Sequence, residues 1–144
     1  MSQKPLPETV SYLLAQICHS HRGYASILLA ELGLHVGQEM LLLHLWQEDG
    51  LTLSQLAERL AVKPPTVTKM LERMQKAGFV ECRKDAQDQR VSRVYLSQLG
   101  KDLQTPVERV WDVLEERTLT NLTLEERLLL RRLLLQVHAN LTTI

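Results

Sequence analysis

Residues 51–96 leave this chain few choices of fold. Thr52, with Gln55 three residues later, makes a capping box that starts a helix at about Leu53. Leu53, Leu56, Ala57 and Leu60 then recur on one face of it. Ala61-Val62-Lys63 is a tight break. Pro64 and Pro65 suit the first turn of a second helix, where a missing N–H costs nothing. Val67, Met70, Leu71 and Met74 form that helix's buried stripe, and Gly78 stops it in the left-handed conformation. Residues 79–83 and 91–96 alternate apolar and polar side chains as paired strands do, and residues 84–90 form the polar tip between them.

Helix, turn, helix and hairpin in that order are the layout of a winged helix-turn-helix. The expected fold class is mainly α, with this motif at about residues 36–97 and helical regions at about 8–35 and 98–144. Lys63, Thr66, Thr68, Lys69, Arg73 and Lys76 lie on the second helix's outward face, and all are types that reach phosphates and base edges. Scattered lysines ordinarily mean only a solvated face, but the distribution of charge argues for more. The chain is neutral, with 17 basic and 17 acidic residues. Residues 63–93 hold eight basic against four acidic side chains, a net of +4; the stretch before holds three against six, the stretch after six against seven. A basic island in an otherwise acidic-to-neutral chain favours double-stranded DNA as partner. The second helix would enter a major groove and the hairpin tip an adjacent minor groove. A winged helix used to bind proteins is the alternative, though it would need no such island. An enzyme is not expected. The chain has no Gly-rich phosphate loop, metal triad or Ser/His/Asp set, and no cofactor or metal is called for.

Aromatic residues make up only 4% of the chain and leucine dominates, which favours helix over sheet. No apolar run approaches the ~20 residues of a membrane span, and the polar, proline-containing first residues do not read as a signal peptide. A cytoplasmic protein without membrane contact is expected, with Cys18 and Cys82 as free thiols. Residues 1–7 read as a flexible tail. Residues 8–32 read as a long helix whose apolar positions are Val10, Leu13, Leu14, Ile17, Cys18, Tyr24, Ile27 and Leu28. A short helix follows at 36–47. After the hairpin, Ser97 is expected to cap one helix reaching about residue 119, kinked near Pro106. Thr123 and Glu126 form a second capping box for the last helix, 124–141. Leu128, Leu129, Leu130, Leu133, Leu134 and Leu135 are more leucine than one face holds. Such a helix is buried by more than one partner, and a second copy of the chain is the natural supplier. A monomeric bundle, with the two long helices covering each other, is the alternative.

Several pieces, taken in order, resemble the MarR (multiple antibiotic resistance regulator) family of transcription factors. The most specific is Asp88-Gln89-Arg90 followed by Leu96-Ser97-Gln98-Leu99-Gly100, similar to the family's D-x-R and L-T-x-x-G elements. Glu31-Leu32-Gly33-Leu34 with Gln38, Leu53-Ser54-Gln55-Leu56-Ala57 and Asn121-Leu122-Thr123 support it. Ser97 stands where the family usually has Thr, which keeps a capping hydroxyl. His35-Val36 replaces the commoner Thr-Pro and leaves the start of the short helix open. The resemblance implies a triangular homodimer joined through the first and last helices, each subunit presenting a winged helix to half of a palindromic operator. It implies repression, less often activation, with release from DNA by a ligand or an oxidant.

The resemblance also puts Arg90 into the minor groove, where narrow tracts concentrate negative potential. Asp88 would hold that guanidinium, or instead pair with Arg73 and fix the wing to the helix. Thr66, Thr68 and Lys69 are expected in the major groove, on an approach stiffened by Pro64 and Pro65. Arg83, Lys84 and Arg93 are expected on phosphates. A cysteine in the first helix is the peroxide-sensing nucleophile in one branch of the family. Cys18 lies on the apolar stripe, however, so a core thiol is expected, with a redox sensor as the alternative. Cys18, His21, Tyr24, His44 and Trp111 are candidate residues for a pocket taking a small apolar or aromatic effector; ordinary core packing would explain the same spacings.

Overall fold

The structure is a computed structural model that describes residues 3–143. Thr9 starts the first long helix: its hydroxyl accepts the Tyr12 N–H at 3.1 Å, and α1 runs over Val10–Ala30. Leu6–Glu8 form a 3-10 turn ahead of it, so that part of the expected tail is ordered into a turn; Met1 and Ser2 lie outside the described residues. Gly33 takes φ +76° and the Leu34 N–H returns to the Leu29 carbonyl at 3.1 Å, which closes α1 slightly sooner than its apolar spacing implied. α2, Gln38–Gln47, also begins later than expected. Gly37 precedes it at φ +102°, the Gln38 side chain accepts the His35 N–H at 3.0 Å, and the Glu39 carboxylate accepts the Gly37 N–H at 2.9 Å. Glu39 is buried, and burial holds its carboxyl above the ordinary range despite the N–H groups and Arg22 that pull it down.

Next come β1 (Leu51–Thr52), α3 (Leu53–Leu60), α4 (Pro64–Lys76), β2 (Val80–Lys84) and β3 (Ser92–Leu96). The Thr52 and Gln55 capping box is closed on both sides, and Gly78 ends α4 at φ +83°. The sheet is antiparallel in the order β1-β3-β2, with Leu51 and Cys82 both opposite Val94. The sequence gives no sign of β1, which is too short for a period-2 pattern and exists only because β3 pairs with it. Leu41, Leu42, Leu45, Leu56, Val67 and Met74 are fully buried, and with the sheet's inner face they form the core.

The single helix expected after Ser97 is two: α5, Gln98–Asp102, and α6, Gln104–Thr118. Pro106 is the cause. It has no N–H for the Asp102 carbonyl, and its ring collides with that carbonyl in a continuous helix. The chain therefore breaks at Leu103, and Pro106 falls in the first turn of α6. Trp46 donates its indole N–H to the Gly100 carbonyl at 3.0 Å, which pins α5 to α2.

The chain divides into two compact units, Met1–Trp111 and Asp112–Ile144. In the second, Asn121 takes φ +68°, and Arg127 donates to the Leu119 and Leu122 carbonyls at 3.1 and 3.2 Å. Thr123 and Glu126 close the second capping box, and α7 follows over Leu124–Thr142 with none of its side chains buried. In the first unit, only Ala25 and Leu29 of α1 are buried. Cys18 is exposed, which corrects the expectation of a core thiol. Periodicity defines an apolar stripe, but nothing in one chain covers its first turns. Cys82 is half-buried in β2, and burial raises its thiol pKa. Among the described residues no helix is long and apolar enough to cross a membrane.

Candidate nucleic-acid interface

Helix α4 is aimed by its core side. Val67, Leu71 and Met74 are buried, which turns Lys63, Thr66, Lys69 and Arg73 outward. Pro64 and Pro65 open the helix behind Lys63, and all three are exposed. The Thr68 hydroxyl donates to the Pro64 carbonyl at 3.1 Å, so only its lone pairs stay available to a partner. Among the described residues, no carboxylate lies within ion-pair distance of Lys63, Lys69, Arg73 or Lys84.

The hairpin tip is folded by its own acids. Asp85 accepts the Gln87 and Asp88 N–H groups through one carboxylate oxygen, at 3.2 and 3.0 Å. Asp88 in turn accepts the Arg90 backbone N–H and the Arg90 Nε, both at 3.1 Å. Asp88 therefore takes the nearer of its expected partners and not Arg73. The Arg90 side chain is 91% exposed at the wing's tip. Arg83 and Arg93 are already engaged. Arg83 donates to Glu81 at 2.9 Å and lies over the Tyr95 ring, 4.7 Å from its centroid. Arg93 donates from Nε to Asp85 at 2.7 Å and from Nη1 to the Gly50 carbonyl at 2.9 Å.

These bonds set the acidities. The Arg93 guanidinium, helped by backbone N–H groups, holds the Asp85 carboxyl below its usual range, and Arg90 does the same for Asp88. A depressed folded pKa stabilises above the unfolded value, about 3.9, and that contribution is lost as pH falls through the folded value. Protection of the Gln87 and Asp88 amides from exchange should hold from neutral pH to about pH 4 and fall only below that. Loss of protection near pH 6 would contradict the assignment.

Beside α4 an open cleft of about 450 Å³ is lined by Arg22, His35, Met40, Thr66, Lys69 and Arg73, among others. None of Cys18, His21, Tyr24, His44 or Trp111 lines it. Of those five, the structure sets His21 against Trp111, with ring centroids 6.4 Å apart; Tyr24 and His44 are half-buried. Sequence reasoning missed Asp85, Gly50 and the cleft's Arg22 and His35. The Asp85-x-x-Asp88 spacing is a turn signal that could have found Asp85. Gly50 lies 43 residues from Arg93, and no local pattern joins them.

The family model described as MarR family matches residues 34–92, which hold α2, β1, α3, α4, β2 and the hairpin tip and end at the first residue of β3. The HTH-type transcriptional regulator TtmR of Methylorubrum extorquens (strain PA1) is 33% identical over 108 residues, covering 74% of this chain and 53% of that protein. The chain thus spans about half the length of this relative. The structure of an S. aureus MepR–DNA complex is similar at a TM-score of 0.82 and 27% identity, covering 92% of this chain and 98% of that one. Bordetella bronchiseptica BpsR, whose DNA binding is regulated by 6-hydroxynicotinic acid, shares the fold at a TM-score of 0.84 and 20% identity, covering 95% of this chain and 98% of that one. From the ordered motifs, the winged-helix geometry and these matches together, the chain belongs to the MarR family of transcriptional regulators.

Proposed function

We propose that this protein is a cytoplasmic, DNA-binding repressor that docks on a palindromic operator as a homodimer and leaves it when a small effector binds. The observation that carries this is the outward row Lys63, Thr66, Lys69 and Arg73 on α4 together with Lys84 and Arg90 on the wing. These side chains, all cationic but Thr66, face solvent on the elements that enter the grooves of DNA in a winged helix. Residues 36–97 would bind DNA, and residues 8–35 and 98–144 would hold the dimer. Arg90→Ala should weaken binding about tenfold, because it removes the side chain that reaches the minor groove. Fluorescence anisotropy on a labelled duplex selected from random DNA by the unmutated protein checks this. Unchanged affinity would remove Arg90 from the interface.

For the effector, the cleft beside α4 supports a compact aromatic or apolar acid. Arg22, Lys69 and Arg73 would meet its carboxylate, and Met40 and Val36 its body. 6-Hydroxynicotinic acid, named for the BpsR neighbour, is an acid of that kind. Such a ligand releases DNA only if it binds the DNA-free arrangement more tightly than the bound one.

The exposure of Cys18 favours one second reading, thiol-based sensing. Among the described residues, however, no side-chain hydrogen bond or ion pair reaches the Cys18 thiol, and a sensing thiol needs a neighbour that stabilises its thiolate. Mild peroxide should therefore leave both the unmutated protein and Cys18→Ser on DNA. Release that disappears in Cys18→Ser would make this a redox sensor.

A further inference from the structure

We propose that Arg93 is a positioning residue for DNA binding: it clamps the wing to the turn between α2 and β1 and does not contact phosphate. This rests on the DNA-binding reading above. Arg93 is one of the basic residues that make residues 63–93 positive, yet its guanidinium is spent inside the protein. Nε meets Asp85 at 2.7 Å and Nη1 meets the Gly50 carbonyl at 2.9 Å. Its side chain is 36% exposed, against 91% for Arg90.

The bonds form a relay. The turn at Asp49 and Gly50 is fixed to β3, because Asp49 accepts the Leu96 N–H at 2.9 Å and the Gly50 N–H meets the Val94 carbonyl at 3.0 Å. Arg93 carries that fixed point to Asp85. Asp85 holds the Asp88 N–H with its other oxygen, and Asp88 holds Arg90. Arg93 thus acts on DNA through Asp85, Asp88 and Arg90. A guanidinium is suited to this because its planar fork presents two donors at a fixed angle, one for a carboxylate and one for a carbonyl. A lysine has the charge without the fork.

Arg93→Lys and Asp85→Ala separate the clamp from a phosphate contact. If Arg93 met phosphate, Arg93→Lys would keep most of the affinity, and Asp85→Ala, which removes an acid from a DNA-facing segment, would tighten binding. With a clamp, both variants should weaken binding about tenfold, and Arg93→Lys should leave the slope of log affinity against log salt unchanged. The assay is anisotropy on the duplex selected from random DNA by the unmutated protein. A second readout needs no DNA: exchange of the Gln87 and Asp88 amides should quicken in Arg93→Lys while the core amides stay protected, which also shows that the variant is folded. Tighter binding by Asp85→Ala, or wing exchange unchanged in Arg93→Lys, would overturn the clamp. Failure of the unmutated protein to select any duplex would instead overturn the DNA-binding reading, and the exchange experiment would still decide the clamp.

Discussion

Leu133→Glu is expected to break the proposed dimer into monomers and to lower its melting temperature. Helix α7 carries Leu128, Leu129, Leu133, Leu134 and Leu135 at exposures between 44% and 64%. Among the described residues none of α7 is buried, although Thr123 and Glu126 cap the helix well. In the first unit, Val10, Leu13 and Ile17 of α1 are likewise 71%, 54% and 47% exposed. So much exposed leucine and isoleucine is what an interface between copies needs. A carboxylate placed there is buried without a partner, at a cost of several kcal/mol, and a dimer bears it twice. The melting temperature of the unmutated protein should also rise with concentration, and that dependence should vanish in Leu133→Glu. A concentration-independent, monomeric unmutated chain by light scattering would remove the proposed interface.

Gly100→Ala should unfold much of the winged unit at moderate temperature. A Cβ on Gly100 would sit far inside van der Waals distance of the Phe79 carbonyl oxygen and 3.2 Å from Leu96 Cδ2. The obstacle is backbone, which cannot rotate away. The same residue accepts the Trp46 indole N–H, so a shift of α5 would also loosen that bond. Overpacking costs typically about 1–3 kcal/mol, and more where backbone must move, a large share of the stability of a small domain. Thermal melting by circular dichroism reads the loss directly. An unchanged melting temperature would mean that α5 packs less closely on the end of α4 and the start of β2 than the structure has it.

What the sequence made legible was local. Thr52 with Gln55 and Thr123 with Glu126 name their helix starts because a capping box lies within four residues. Pro64, Pro65 and Gly78 bracket α4 through their own backbone preferences. The hairpin followed from alternation. What stayed hidden was set at a distance. β1 is created by its pairing with β3, α5 and α6 separate at the carbonyl that Pro106 cannot serve, and the partner of Arg93 lies at Gly50. The misreading of Cys18 has another cause: apolar spacing gives a stripe, and the stripe does not say whether its own chain or a second copy covers it. Counting charges pointed to α4 and the wing. It could not separate Arg93, whose guanidinium is held by Asp85 and Gly50, from Lys84 and Arg90, which are exposed on the wing.

The salt dependence of affinity for duplex DNA tests the central claim most directly. Lys63, Lys69, Arg73, Lys84 and Arg90 can each displace a counterion from a phosphate, so log affinity should fall steeply and linearly as log salt rises. Lys84→Ala should lower that slope by about one, the share of a single phosphate contact, while leaving every bond that shapes the wing in place. An affinity that stays flat between low and physiological salt would contradict the winged helix as a DNA-binding surface.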